Sequence, residues 1–76
     1  MKTKLYIFKV VAKHLSFTKA AEQLYLSQPA VSKAIKNLEQ EYKTTFFIRK
    51  RNSLEMPAEG TSFLVYTNKV LAIYAE

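Results

Sequence analysis

The stretch SFTKAAEQLYLSQPAVSKAIKNLEQEY, residues Ser16 to Tyr42, reads as two helices joined by a tight turn. The first is expected to open at Thr18, whose hydroxyl can accept from a free N–H of the opening turn, and to run through Lys19, Ala20, Ala21, Glu22, Gln23 and Leu24. The two adjacent alanines let another helix approach closely. Tyr25, Leu26 and Ser27 make the turn, with Ser27 as the next N-cap. Pro29 falls in the first turn of the second helix, where its missing N–H costs nothing, and that helix runs to about Tyr42. Helices joined in this way are a helix-turn-helix, placed at about residues 18–37.

The second helix has two faces. Val31, Ile35, Leu38 and Tyr42 recur at i, i+4, i+7 and i+11 and form the core stripe. Gln28, Pro29, Ser32, Lys33 and Lys36 fall on a different arc, which is polar, cationic and short-chained near its N-terminus. Such an arc fits the major groove of DNA. A glutamine offers both an acceptor and a donor to adenine, a serine bonds to a base or a phosphate, and lysines reach guanine or the backbone. A solvated helix face is the plainer reading of the same arc.

The wider pattern resembles a known family. Phe8, Ser16-Phe17-Thr18, Ala20-Ala21, Leu24, Ser27-Gln28-Pro29-Ala30-Val31-Ser32, Ile35, Leu38-Glu39, Phe47, Arg49 and Gly60 stand in the order and spacing of the N-terminal domain of LysR-type transcriptional regulators. The resemblance implies a winged helix-turn-helix that binds double-stranded promoter DNA as a dimer, followed by a linker helix and a separate effector-binding domain. It implies base-edge positions at Gln28, Pro29, Ser32 and Lys33, and a phosphate contact at Thr18. The chain departs from the family at Lys43, where Gly is usual, at Phe46, where Leu is usual, and at Pro57-Ala58-Glu59-Gly60, where Thr-x-Ala-Gly is usual.

The charge agrees with a polyanionic partner. Net charge is +6, but residues 57–76 carry only Lys69 against Glu59 and Glu76, so the first 56 residues carry a net +7. Counterion release gives such a surface affinity for any phosphate backbone. At 76 residues the chain is one small domain near the lower limit for a self-sufficient core, so help from a partner chain is reasonable. Hydrophobic residues make up 49% of it, which argues against disorder. Cysteine is absent, which suits a reducing compartment such as the cytoplasm, and no apolar run approaches the roughly 20 residues that span a bilayer. Lys9 and Lys13 interrupt anything resembling a signal peptide.

The remaining elements read as support. Thr3 to Leu15 form a helix with Leu5, Phe8, Val11, Ala12 and Leu15 on its core face, while Tyr6 and Val10 lie nearly opposite. Thr44 to Ile48 are β-branched or aromatic and predict a strand, with Ser53 to Met56 as its partner. Between them Arg49-Lys50-Arg51-Asn52 forms a hairpin tip, a wing whose cations lie on phosphates or enter the minor groove. Pro57 to Glu76 predicts a last helix whose apolar residues cover about half its circumference, more than one core contact uses. Its outer side, with Leu64 and Leu71, together with Tyr6 and Val10, is the expected surface of a homodimer, with higher oligomers open to a full-length protein.

The expected fold is mainly α: a winged helix-turn-helix with a three-helix core and two-stranded wing over residues 1–57, then a linker and dimerisation helix over 58–76. A C-terminal effector domain is expected to be absent from this chain. No nucleophile with a base, carboxylate pair, metal cluster or phosphate loop is visible, so neither an enzyme nor a bound cofactor or metal is expected. His14, with no second histidine or cysteine, reads as a surface residue. The function expected is sequence-specific DNA binding in the regulation of transcription. A helical protein-interaction module without DNA binding is the alternative. A cationic membrane-surface module is disfavoured, because the lysines are dispersed and the most apolar helix is the least basic.

Overall fold

The computed structural model describes residues 2–75. Four helices, α1 (Lys2–His14), α2 (Phe17–Leu24), α3 (Gln28–Tyr42) and α4 (Ala58–Ala75), enclose the core, and a hairpin of β1 (Ile48–Arg49) and β2 (Leu54–Glu55) stands between α3 and α4. The hairpin is antiparallel, with Ile48 opposite Glu55 and Arg49 opposite Leu54.

Helix α1 packs against all three other helices and carries the centre of the core. The fully buried Phe8 ring lies 4.9 Å from Phe63, 5.2 Å from Phe47 and 5.4 Å from Phe46, centre to centre. Two of these contacts are edge-on, the geometry that the ring quadrupole favours. Phe46 and Phe63 stack at 4.3 Å, and the Tyr42 ring meets Phe63 at 4.8 Å. The Tyr42 phenol is held above the usual tyrosine range, first by burial and then by its hydrogen bond with Tyr66.

Because α4 covers a second side of α1, the buried arc of α1 is wider than one stripe. Ile7 and Val10 are buried along with Leu5, Phe8, Val11 and Ala12, so Val10, at 3% exposure, does not lie on an outer surface as expected. Thr3, Tyr6, Lys9 and Lys13 are the side chains that α1 leaves exposed among those described. Leu15 is likewise displaced: it follows the helix end with φ +50° and is exposed. Its N–H bonds to the Val11 carbonyl at 2.7 Å.

All three helix ends ahead of the wing use a left-handed residue that is not glycine: Leu15, Tyr25 and Lys43. After α2 the N–H of Leu26 reaches the Ala21 carbonyl at 3.0 Å and that of Tyr25 reaches Glu22 at 3.4 Å. After α3 the N–H of Thr44 reaches the Glu39 carbonyl at 3.0 Å and that of Lys43 reaches Gln40 at 3.3 Å. Both are Schellman closures, which satisfy otherwise orphaned carbonyls. Lys43 therefore adopts a left-handed conformation that glycine takes most readily.

The segment after Lys43 is not the strand expected from Thr44 to Ile48; only Ile48 and Arg49 pair. The Glu39 carboxylate accepts from the backbone N–H of Phe46 at 2.8 Å and of Phe47 at 3.2 Å, so those donors are taken by a side chain and not by a ladder. Glu39 thereby drops both rings into the core.

The last helix starts at Ala58, and the Pro57 carbonyl receives the first helical bond, from Thr61 N–H at 3.1 Å. The expected end at Glu76 lies outside the described residues. Gly60 is buried where α4 crosses the chain, and a Cβ there would collide with the Phe46 carbonyl oxygen and the Met56 side chain. Leu64 and Leu71, expected on the outer side, are half-buried and pack against the chain's own core. Val65, Tyr66, Ile73 and Tyr74 are the large apolar residues that α4 exposes. No helix among the described residues is long and apolar enough to cross a membrane.

Candidate nucleic-acid interface

Helix α3 is built as its sequence predicts. Ser27 caps it, its Oγ accepting from Ala30 N–H at 3.2 Å, and Pro29 lies in the first turn. Val31, Ile35 and Leu38 are buried, whereas Tyr42 is partly exposed at the end of the stripe. On the other side Gln28, Pro29, Lys33 and Lys36 are exposed and Ser32 is half-buried.

Helix α2 begins one residue after its cap, and the cap is Ser16, not Thr18: Ser16 Oγ accepts from Lys19 N–H at 3.1 Å. Ser16 has the extended backbone, φ −159° and ψ 125°, that an N-cap requires, whereas Thr18 already lies within the helix. The Thr18 side chain is thereby left exposed. Phe17 turns inward and meets Phe47 edge-on at 6.5 Å.

A two-residue hairpin has little stability of its own and must be held by its neighbours. Leu54 anchors one strand in the core. Arg49 anchors the other: its Nη2 donates to Ser32 Oγ at 2.8 Å, and its guanidinium carbon lies 4.6 Å from the centre of the Phe17 ring. The tip is Lys50 to Ser53, closed by Lys50 N–H to the Ser53 carbonyl at 2.8 Å. Lys50 Nζ lies 3.5 Å from Glu55, an exposed pair of small energetic weight. Arg51 has no carboxylate partner among the described residues.

These elements enclose a groove of about 240 Å³ that brings Thr18, Gln28, Arg49, Lys50 and Arg51 together. Ser16, Asn52 and Ser53 line it too, three residues that side-chain charge gave no reason to pick out. Lys36 lies outside the groove, two helical turns and about 12 Å along the axis from Gln28, on the same exposed flank of α3. The arrangement is a protruding polar helix edge beside a cationic arm, open to solvent and free of any deep enclosure.

Comparison with known proteins gives one answer. The family model described as bacterial regulatory helix-turn-helix protein, lysR family, matches residues 3–61. A probable RuBisCO transcriptional regulator of Phaeodactylum tricornutum is 44% identical over 72 residues, 95% of this chain and 24% of that protein. The glycine cleavage system transcriptional activator of Escherichia coli K12 is 39% identical over 72 residues, again 95% of this chain and 24% of that protein. The chain thus spans about a quarter of the length of these relatives. Among solved structures, the BenM DNA-binding domain in complex with catB site 1 DNA superimposes with a TM-score of 0.93 at 33% identity, covering 99% of this chain and 84% of that one. The CbnR domain in complex with DNA gives 0.95 at 25% identity, covering 99% and 86%. With the family model covering most of its length and the winged fold matching throughout, the chain belongs to the LysR family of bacterial helix-turn-helix regulatory proteins.

Proposed function

We infer that this domain binds double-stranded DNA sequence-specifically, in the bacterial cytoplasm, to regulate transcription, and that it carries no catalytic step. The observation that carries the reading is the polar arc of α3 standing exposed beside a cationic wing, with Thr18, Gln28 and the wing residues on one groove. The BenM and CbnR domains on which it superimposes were solved on DNA. Gln28, Pro29, Ser32 and Lys33 are assigned to base edges, Thr18 and Lys36 to phosphates, and Arg49, Lys50 and Arg51 to the wing. Binding of a labelled duplex, titrated across salt and set against single-stranded DNA and anionic vesicles, tests this. Sequence selection from a randomised duplex pool, with log affinity falling by about 0.9 per phosphate contact for each unit of log salt, is the expected result. Equal affinity for all three partners, or none for duplex, refutes it and favours a protein-interaction module.

The winged domain over 1–57 and the helix over 58–76 divide the work, the latter pairing antiparallel with a second copy. Between α1 and α4 runs an open groove of about 560 Å³ lined by Tyr6, Lys9, Asn68 and Leu71 among others, and Val65 and Ile73 stay exposed farther round α4. Val10 takes no part in that surface, and Leu64 contributes only its outer edge. Two-fold pairing sets recognition helices about 34–36 Å apart, or a multiple of that. Sedimentation of the chain alone as a monomer at high concentration would refute the pairing.

A further inference from the structure

Arg49 counts by charge as a wing cation, yet its exposed head group is already engaged by side chains of its own domain. It donates to Ser32 Oγ at 2.8 Å and lies over the Phe17 ring, which itself packs on Phe47. One side chain thus joins the wing to α2, α3 and the core. A guanidinium has only donors, so in this contact the Ser32 oxygen must accept. The hydroxyl keeps its proton. Inside a helix that proton commonly goes to the carbonyl four residues back, here that of Gln28, but Ser32 makes no such bond among the described residues. A hydroxyl that accepts from a cation is also polarised into a stronger donor.

Resting on the DNA reading above, we propose that Arg49 is a positioning residue for sequence readout, fixing Ser32 as a hydrogen-bond donor toward an acceptor on a base edge. Purine N7, guanine O6 and thymine O4 are acceptors of that kind in the major groove. Without Arg49 the hydroxyl is free to turn back to Gln28 and the contact loses its polarity.

The test is base preference, measured by competition binding of the 76-residue chain and its variants to single-base-pair variants of a selected site. Ser32→Ala should flatten discrimination at one base pair about five-fold, the scale of one hydrogen bond, and leave other positions unchanged. Arg49→Met should flatten the same position, and the double variant should lose nothing more there. Arg49→Lys, which keeps the positive charge and an N–H donor for Ser32 though not the planar guanidinium, should retain the preference at lower affinity. Circular dichroism shows which variants fold, and Arg49→Lys carries the test if Arg49→Met does not: loss of the preference in a folded Arg49→Lys overturns the proposal. So does an Arg49→Met that weakens every sequence alike with discrimination intact. A wild-type chain that selects no sequence overturns the DNA reading and this inference together.

Discussion

Helices α3 and α4 are similar in length and opposite in design. Helix α3 buries Val31, Ile35 and Leu38 along one stripe and turns polar residues outward, so its exposed side is available for a polar partner. Helix α4 buries Gly60, Phe63 and Thr67, yet keeps Val65, Tyr66, Ile73 and Tyr74 exposed. An exposed polar arc is stable in water, whereas an exposed apolar one is tolerated best where another surface covers it. The difference teaches that apolar periodicity identifies a helix's inner face only when the other face is polar. In α4 the signal is spread round the circumference, and tertiary contacts alone choose the side.

The sharpest way to break this contrast is on the inner stripe of α3. Ile35→Ala should cost on the order of 2–5 kcal/mol by denaturant unfolding, a large share of what a small domain possesses, and DNA binding should be lost with the fold. An unchanged midpoint would mean that the two faces of α3 have been exchanged. On α4 the corresponding inner position is the glycine. Gly60→Ala would force the helix off the Phe46 carbonyl at a cost of about 1–3 kcal/mol, despite the better helix propensity of alanine. A variant as stable as the wild type would show that α4 has room to slide.

On the outer arc of α3 the effects should appear in binding and not in stability. Gln28→Ala is expected to cost about 1–3 kcal/mol on a selected site and to relax preference locally, whereas Arg51→Ala on the wing weakens all sequences similarly and lowers the salt slope by about one unit. Gel shifts at several salt concentrations separate the two, and equal losses on cognate and random DNA for Gln28→Ala would refute the division.

The smallest effects sharpen the comparison in the stabilising direction. Thr67 is fully buried on α4 and its hydroxyl has no hydrogen-bond partner among the described residues, so Thr67→Val should stabilise by about 1 kcal/mol, read as a higher melting temperature. At the end of α3, Lys43 holds φ +54° with a side chain attached, and Lys43→Gly should add roughly 0.5–1 kcal/mol, the strain relieved less the added freedom of the unfolded chain. A lower melting temperature for either variant would refute the corresponding account.

By itself the sequence determined the helix-turn-helix, because its signals are local: Ser27 and Pro29 open α3, and a period of 3.6 separates the buried stripe from the polar arc. It also placed the basic hairpin tip to within one residue, Lys50 to Ser53 where Arg49 to Asn52 was expected, although of the β-branched and aromatic run before it only Ile48 pairs, together with Arg49. Tertiary structure decided the rest. Whether Thr44 to Phe47 form a strand depended on Glu39, a carboxylate several residues back that takes two backbone donors. Whether Val10 lies inside depended on α4 arriving from nearly fifty residues away to cover it, and Leu64 and Leu71 are half-covered by the same packing. The Ser16 cap was a local signal in competition with Thr18, settled when Phe17 turned inward onto Phe47. The engagement of Arg49 with Ser32 and Phe17 joins three elements that are adjacent only in space. Local backbone chemistry is written in neighbouring residues, but which side chains share a groove is fixed only when the chain closes on its core.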